Sequence, residues 1–177
     1  EHSTAKYVIM ANCDVVTTID FNPVLNQHME SGADITLIYS KGYYDSEKNS
    51  CATILEFDEN NHLKDVLVDP QISGECNMWL EMFIISRDFL KKIVFEAASR
   101  NQSSFTREIL QGRKDEYKIM GYEHKGIFTR IDSVQSYYNA NQMLLETEKR
   151  NALFVKNMPI YTKIGDNGPV KYGLDSS

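Results

Sequence analysis

The stretch Tyr7–Asp14 constrains this chain more than any other. Five apolar residues in a row, Tyr7 to Ala11, with β-branching at Val8 and Ile9, read as a short buried strand of a parallel sheet. The run stops at Asn12-Cys13-Asp14, and Val15, Val16, Thr17 and Thr18 follow. A carboxylate at the carboxyl end of such a strand stands where open α/β sheets bind ligands. The alternative is that Asn12 and Asp14 end the strand by turn chemistry alone. Asn22 followed by Pro23 predicts a helix start, with Asn22 as N-cap and Pro23 at the first helical position. Val24, Leu25, His28 and Met29 share one face, on which His28 reads as a half-buried core histidine, and Gly32 closes the helix. Asp34–Tyr39 is the next strand, so the two strands and the helix make a βαβ unit, right-handed by rule.

Further along, residues 42–50 are polar and read as a loop, and Cys51–Phe57 and Leu63–Val68 form a hairpin across Asp58–His62. Cys76–Ser86 is nearly continuous apolar sequence interrupted by Glu81. A charge there is unusual; Glu81 either faces a polar cleft or lies on the solvent face of an edge strand. Ser86 caps a helix with Phe89, Leu90, Ile93, Val94 and Ala97 on its apolar face. A shorter helix opens at Ser103 or Ser104, carries Phe105, Ile109 and Leu110, and ends at Gly112. Tyr117–Tyr122 and Gly126–Ile131 are two short strands about a turn, and Ser133 caps the last long helix, with Val134, Tyr137, Tyr138, Asn141, Leu144 and Leu145 on one face. Residues 157–177, with scattered Pro and Gly, read as a connector.

Composition excludes several classes. A net charge of −6, with no basic block longer than two residues, argues against nucleic-acid binding. No apolar run approaches the roughly 18 residues of a membrane span, and no signal peptide is visible. The 3 cysteines are widely spaced without CxxC, which fits a reduced, cytoplasmic protein, and none of the 4 histidines has metal-ligand spacing. The chain begins without Met and enters a strand almost at once, which predicts a piece of a longer polypeptide.

The order of these features resembles the latter two-thirds of a sugar-nucleotide pyrophosphorylase domain, and more narrowly the glucose-1-phosphate adenylyltransferase (ADP-glucose pyrophosphorylase) family. The stretches that carry the likeness are Tyr7–Tyr39, Met78–Leu90, Phe105–Leu110 and Ile127–Leu145, with Pro159–Lys163 and Lys171–Gly173 similar to the family's passage into a C-terminal left-handed β-helix. The resemblance implies an α/β fold: a mixed, mainly parallel Rossmann-like sheet with helices on both faces (the nucleotide-diphospho-sugar transferase fold), its N-terminal part missing. Residues 1–156 would be a partial nucleotidyltransferase domain and 157–177 the connector. It also implies a reaction joining glucose 1-phosphate to ATP with Mg²⁺ neutralising the phosphates.

Carried over residue by residue, the family's machinery fails at several positions. Its Gly-Asp metal pair falls on Cys13-Asp14, and its Glu-Lys-Pro loop on Val68-Asp69-Pro70, which puts a carboxylate where a phosphate-binding cation belongs. Its Ser-Met-Gly-Ile-Tyr strand falls on Asn77–Glu81, so that Trp79 fills the place of a glycine and Glu81 that of a sugar-contacting tyrosine. Its second metal aspartate falls on Arg130. Asp14 and Arg130 are thus a vestigial metal site, with Arg130 expected either to pair with Asp14 or to point to solvent. Asp69, Asn77, Trp79 and Glu81 are a vestigial sugar-phosphate pocket. The resemblance implies a GlgD-type, catalytically impaired regulatory subunit that partners a catalytic adenylyltransferase subunit and holds no metal of its own. The alternatives are an active nucleotidyltransferase, in which Lys64 replaces the missing cation, and a module that senses a nucleotide or sugar phosphate.

Overall fold

The computed structural model describes residues 4–47 and 52–160. In chain order the elements are β1 (Tyr7–Ala11), β2 (Val15–Thr17), α1 (Phe21–Ser31), β3 (Ile35–Asp45), β4 (Thr53–Phe57), β5 (Leu63–Val68), β6 (Ser73–Ser86), α2 (Arg87–Ser99), a π-helical turn (Thr106–Gln111), β7 (Ile119–Glu123), β8 (Phe128–Arg130), α3 (Val134–Met143) and α4 (Thr147–Leu153). They divide into two units. One holds the described residues up to Asn12 together with Asp20–Lys125; the other holds Cys13–Ile19 and the described residues from Gly126 onward.

The first unit is a mixed sheet in the order β5-β4-β6-β3-β7, with β1 also on β6. Its strands are mostly antiparallel: only β3 and β7 pair in parallel, while β3–β6, β1–β6, β4–β5 and β4–β6 are antiparallel. The expected mainly parallel sheet is therefore corrected. The reason lies in residues 42–45, the start of the expected 42–50 loop, which are strand. Their β-forming tyrosines extend β3, and all 11 of its residues zip against β6 from Ile35↔Ile85 to Asp45↔Ser73. β6 thereby lies between β1 and β3. Among the described residues β1 is an edge strand, with Ile9 46% exposed, not the buried strand its apolar run predicted.

The core explains why this sheet holds. Ile35, Leu37 and Tyr39 on β3 pair with Ile85, Phe83 and Trp79 on β6, and Ile93 of α2 and Ile109 and Leu110 of the π-helical turn complete the cluster. Phe83 stacks on Phe105 at 4.5 Å between ring centroids. Burying each large apolar side chain here contributes about 1.5–3 kcal/mol. The alternate residue Thr36 faces α1 instead, so helices lie on both faces of the sheet.

α1 starts two residues earlier than expected. Asp20, not Asn22, is its N-cap and accepts from the Asn22 N–H, and Gly32 ends the helix at φ +62°. Inside it, His28 is buried, with Nδ1 2.8 Å from the Thr36 hydroxyl and the Tyr7 ring edge-on at 5.3 Å. Burial pushes its pKa below the usual histidine value, and Asp34 only partly opposes this. Above pH ~6.5 the ring is neutral in both folded and unfolded chains. Below that the unfolded chain takes the proton first, so stability falls with pH by up to about 1.4 kcal/mol per unit until the folded pKa is reached. Urea unfolding of the wild type and of His28→Gln at pH 7.5 and about 5.5 is expected to show the smaller loss in the variant. Equal losses would remove His28 from the account.

In the second unit β2 and β8 form an antiparallel ribbon with Val15 opposite Arg130 and Thr17 opposite Phe128. β7 and β8, which the sequence set about one turn, belong to different sheets. The expected last long helix is two: Ser133 opens α3 with a capping box to Ser136, and Arg150 of α4 donates to the Leu144 and Leu145 carbonyls where α3 ends. Of the residues grouped on one face, Val134, Tyr137 and Tyr138 are exposed, Val134 by 87%, and Leu144 and Leu145 are half-buried, while Ala140 and Leu153 are buried. Residues 161–177, and with them most of the expected connector and its β-helix-like motif, lie outside the described residues.

Candidate functional site

β6 is too long for one neighbour. On one edge Met78 pairs with Ile54 of β4, while Met82 to Ser86 pair with β1. The change of partner falls at Leu80 and Glu81, and there β6 carries two extra residues: Tyr39 pairs with Trp79 and Ile38 with Met82. Such bulges re-aim side chains, often beside functional sites. Glu81 adopts φ +54°, a left-handed conformation costing a non-glycine residue about 1–2 kcal/mol. Asn12, just past the end of β1, holds it there: its Nδ2 donates to Glu81 Oε2 at 2.6 Å, and its backbone N–H donates to the Glu81 carbonyl at 3.2 Å. Glu81 is half-buried at a bulge of a strand paired on both sides, so it does not lie on the solvent face of an edge strand. The interrupted apolar run was the only sign of it.

The register brings Asp69 to the same end of the sheet. Leu67, Ile54, Met78 and Ser40 lie in one row across four strands. Asp69, two residues beyond Leu67, is exposed at φ +48° and donates its N–H to the Ala52 carbonyl at 2.9 Å, level with the bulge. Asn77 is turned to its neighbour, Nδ2 donating to the Leu55 carbonyl at 2.9 Å. Trp79 is 6% exposed within the hydrophobic core, and its indole N–H donates to the Met82 carbonyl at 3.2 Å, closing the bulge from inside. Lys64 is the second residue of β5, near its other end, five residues or about 16 Å of strand from Asp69. The end of the sheet that carries Glu81 and Asp69 thus offers carboxylates to an incoming phosphate, and Lys64 is out of reach of it.

Asp14 and Arg130 meet in the second unit. Asp14 lies at the bend before β2, outside the alternation of the ribbon, and its carbonyl accepts from the Ile131 N–H at 2.7 Å. Arg130 Nε stands 3.6 Å from Asp14 Oδ2, both side chains largely buried. That is an ion pair longer than a charge-assisted hydrogen bond of about 2.7–2.9 Å. Asp14 Oδ1 is buried without a hydrogen-bond partner.

These residues do not fit Mg²⁺. The ion takes a near-octahedral shell of oxygens at about 2.1 Å, and here a permanently charged guanidinium stands 3.6 Å from the Asp14 carboxylate. Among the described residues, no three His, Cys, Asp or Glu side chains gather so that they could hold a metal ion. No helix among them is long and apolar enough to cross a membrane.

No family profile matches the chain. Among curated proteins it is 25% identical to the glycogen biosynthesis protein GlgD of Bacillus subtilis over 99% of its own length and 40% of that protein's. It is 26% identical to the glucose-1-phosphate adenylyltransferase of Mycoplasma mobile over 92% of its length and 43% of that enzyme's. The chain therefore spans less than half the length of these relatives. Among solved structures, HddC from Yersinia pseudotuberculosis shares the fold, with a TM-score of 0.63 over 80% of this chain and 56% of that one, at 19% identity.

Proposed function

We propose that this chain, a relative of the glycogen biosynthesis protein GlgD and of the glucose-1-phosphate adenylyltransferases, is part of a regulatory subunit that assists ADP-glucose synthesis without performing it. It acts in the cytoplasm beside a catalytic adenylyltransferase subunit and tunes the rate at which that subunit joins ATP to glucose 1-phosphate. The observation that carries this reading is the 3.6 Å ion pair of Arg130 with Asp14. In phosphoryl-transfer sites, catalysis is almost entirely positioning plus neutralisation of phosphate charge by metal and cationic side chains. Here a guanidinium neutralises the remaining carboxylate, and Coulomb repulsion from it opposes a divalent ion. Asp69 and Glu81 at the end of the first sheet give a second, independent support, since they repel the phosphates that such a site must hold. The remoteness of Lys64 from Asp69 disfavours an active enzyme with a displaced cation.

The test is an assay of the complete reading frame that carries this sequence, alone and co-expressed with a catalytic homologue. Alone it is expected to produce no ADP-glucose above background; together the pair is expected to differ from the homologue alone in rate or effector response. Turnover by the single protein at an ordinary enzymic rate of about 1–1000 s⁻¹ would overturn the proposal.

A further inference from the structure

The last strand of a sheet turns a row of backbone groups outward, and such a row pairs readily with another chain. Among the described residues β5 is such a strand. The Asp69 N–H donates to the Ala52 carbonyl, so Asp69 and Leu67 turn their backbone groups toward β4 and Val66 and Val68 turn theirs away. Lys64 is the residue skipped where the register shifts between Glu56 and Phe57.

Side chains meet these outward groups. Gln111, the last residue of the π-helical turn, donates from Nε2 to the Val66 carbonyl at 2.8 Å, and Lys114 donates from Nζ to the Lys64 carbonyl at 2.6 Å. The Val66 N–H donates to Oδ1 of Asp65 at 2.9 Å, and the same oxygen accepts from the Lys114 ammonium at 3.0 Å. Lysine is seldom drawn in from solvent, yet this side chain is only 24% exposed. Donors thus stand at the carbonyls and a carboxylate at the N–H, as a neighbouring strand would present them. β7, at the other end of the sheet, is closed in the same manner. Its Gly121 carbonyl accepts from Asn61 Nδ2 at 2.6 Å and Gln27 Nε2 at 2.8 Å, and its Gly121 N–H donates to the Asn61 carbonyl at 3.2 Å.

We propose that Gln111, Lys114 and Asp65 mask the edge of β5 and so block its pairing with an extended strand of another copy of this chain. The two donors are three residues apart and cover carbonyls two residues apart, about 6.6 Å of strand. With Lys64 and Val66 engaged, Val68 alone of the three outward positions is left, and a ladder needs successive ones. Val68 is 50% exposed. Uncovered, Leu63–Val68 is a six-residue segment without proline in which four residues are Leu or Val, the kind of strand that templates aggregation. Gln111 and Lys114 therefore act on solubility, a role separate from the reaction of any partner.

The test follows aggregate growth of the complete reading frame that carries this sequence, by light scattering and thioflavin T, at a temperature where circular dichroism shows the variants folded. The Gln111→Ala/Lys114→Ala double variant is expected to aggregate at least about 10-fold faster than the wild type. Lys114→Met, which keeps the stem and drops the ammonium, is a milder variant expected to aggregate about 3-fold faster. Ser86→Ala removes the N-cap of α2 but leaves the mask whole, so it controls for lost stability and should follow the wild type. Val68→Lys, added to the double variant, puts a charge on the exposed edge and is expected to bring growth back to within about 3-fold of the wild type. Growth of both mask variants at the wild-type rate, equal acceleration by Ser86→Ala, or no rescue by Val68→Lys overturns the proposal.

Discussion

Trp79→Ala lowers the unfolding free energy of the chain by about 3–5 kcal/mol, the range for emptying a buried aromatic site. The indole is 6% exposed, lies 6.5 Å from the Phe83 ring and bonds the Met82 carbonyl across the bulge. Removing it leaves a cavity, frees the Met82 carbonyl and withdraws support from Glu81, which already holds a left-handed backbone. Urea unfolding followed by tryptophan-independent far-ultraviolet dichroism measures the loss; one below about 1 kcal/mol would show that Trp79 is not a core residue. The result bears on function. Restoring the glycine that the family resemblance places at position 79 opens space at the cost of the core, so exchanging residues one for one does not rebuild an active pocket here. Asp69, exposed at the end of β5, carries no such penalty, and charge alone sets its effect on a phosphate.

Arg130→Ala destabilises the second unit by about 1–3 kcal/mol. Breaking a buried ion pair is costly because it strands the surviving charge, and partial exposure of both side chains keeps this value below the fully buried limit. Asp14 Oδ1 has no hydrogen-bond partner, so losing the guanidinium leaves the carboxylate poorly compensated. Asp14→Asn in the same background removes that stranded charge and should recover much of the loss, giving a coupling energy of about 1 kcal/mol or more in a double-mutant cycle. Additive single and double variants would show that the pair is incidental, and the argument for a disabled metal position would then lose its main support.

Local chemistry alone was enough to place most elements of this chain. The caps at Ser86 and Ser133, the αL glycine at Gly32 and the Asp58–His62 hairpin depend on neighbours within a few residues, and such signals survive in any tertiary setting; the face of α2 did not follow entirely, since Val94, grouped with Ile93, is 56% exposed. The charges of Asp69 and Arg130 were also legible, because the sign of a charge does not depend on the fold.

Strand partners and burial were decided only by the tertiary structure. An apolar run such as Tyr7–Ala11 has the same composition at the centre of a sheet and at its edge, and neighbours far along the chain determine which it becomes. The direction of pairing followed from β3 continuing through residues that read as a polar loop, which let β6 lie between β1 and β3. The same holds for Trp79, placed from the sequence in a ligand pocket and found in the core, and for Glu81, whose strained backbone exists because β6 must change partners there. Each of these depends on contacts between residues dozens of positions apart, and no local pattern carries that information.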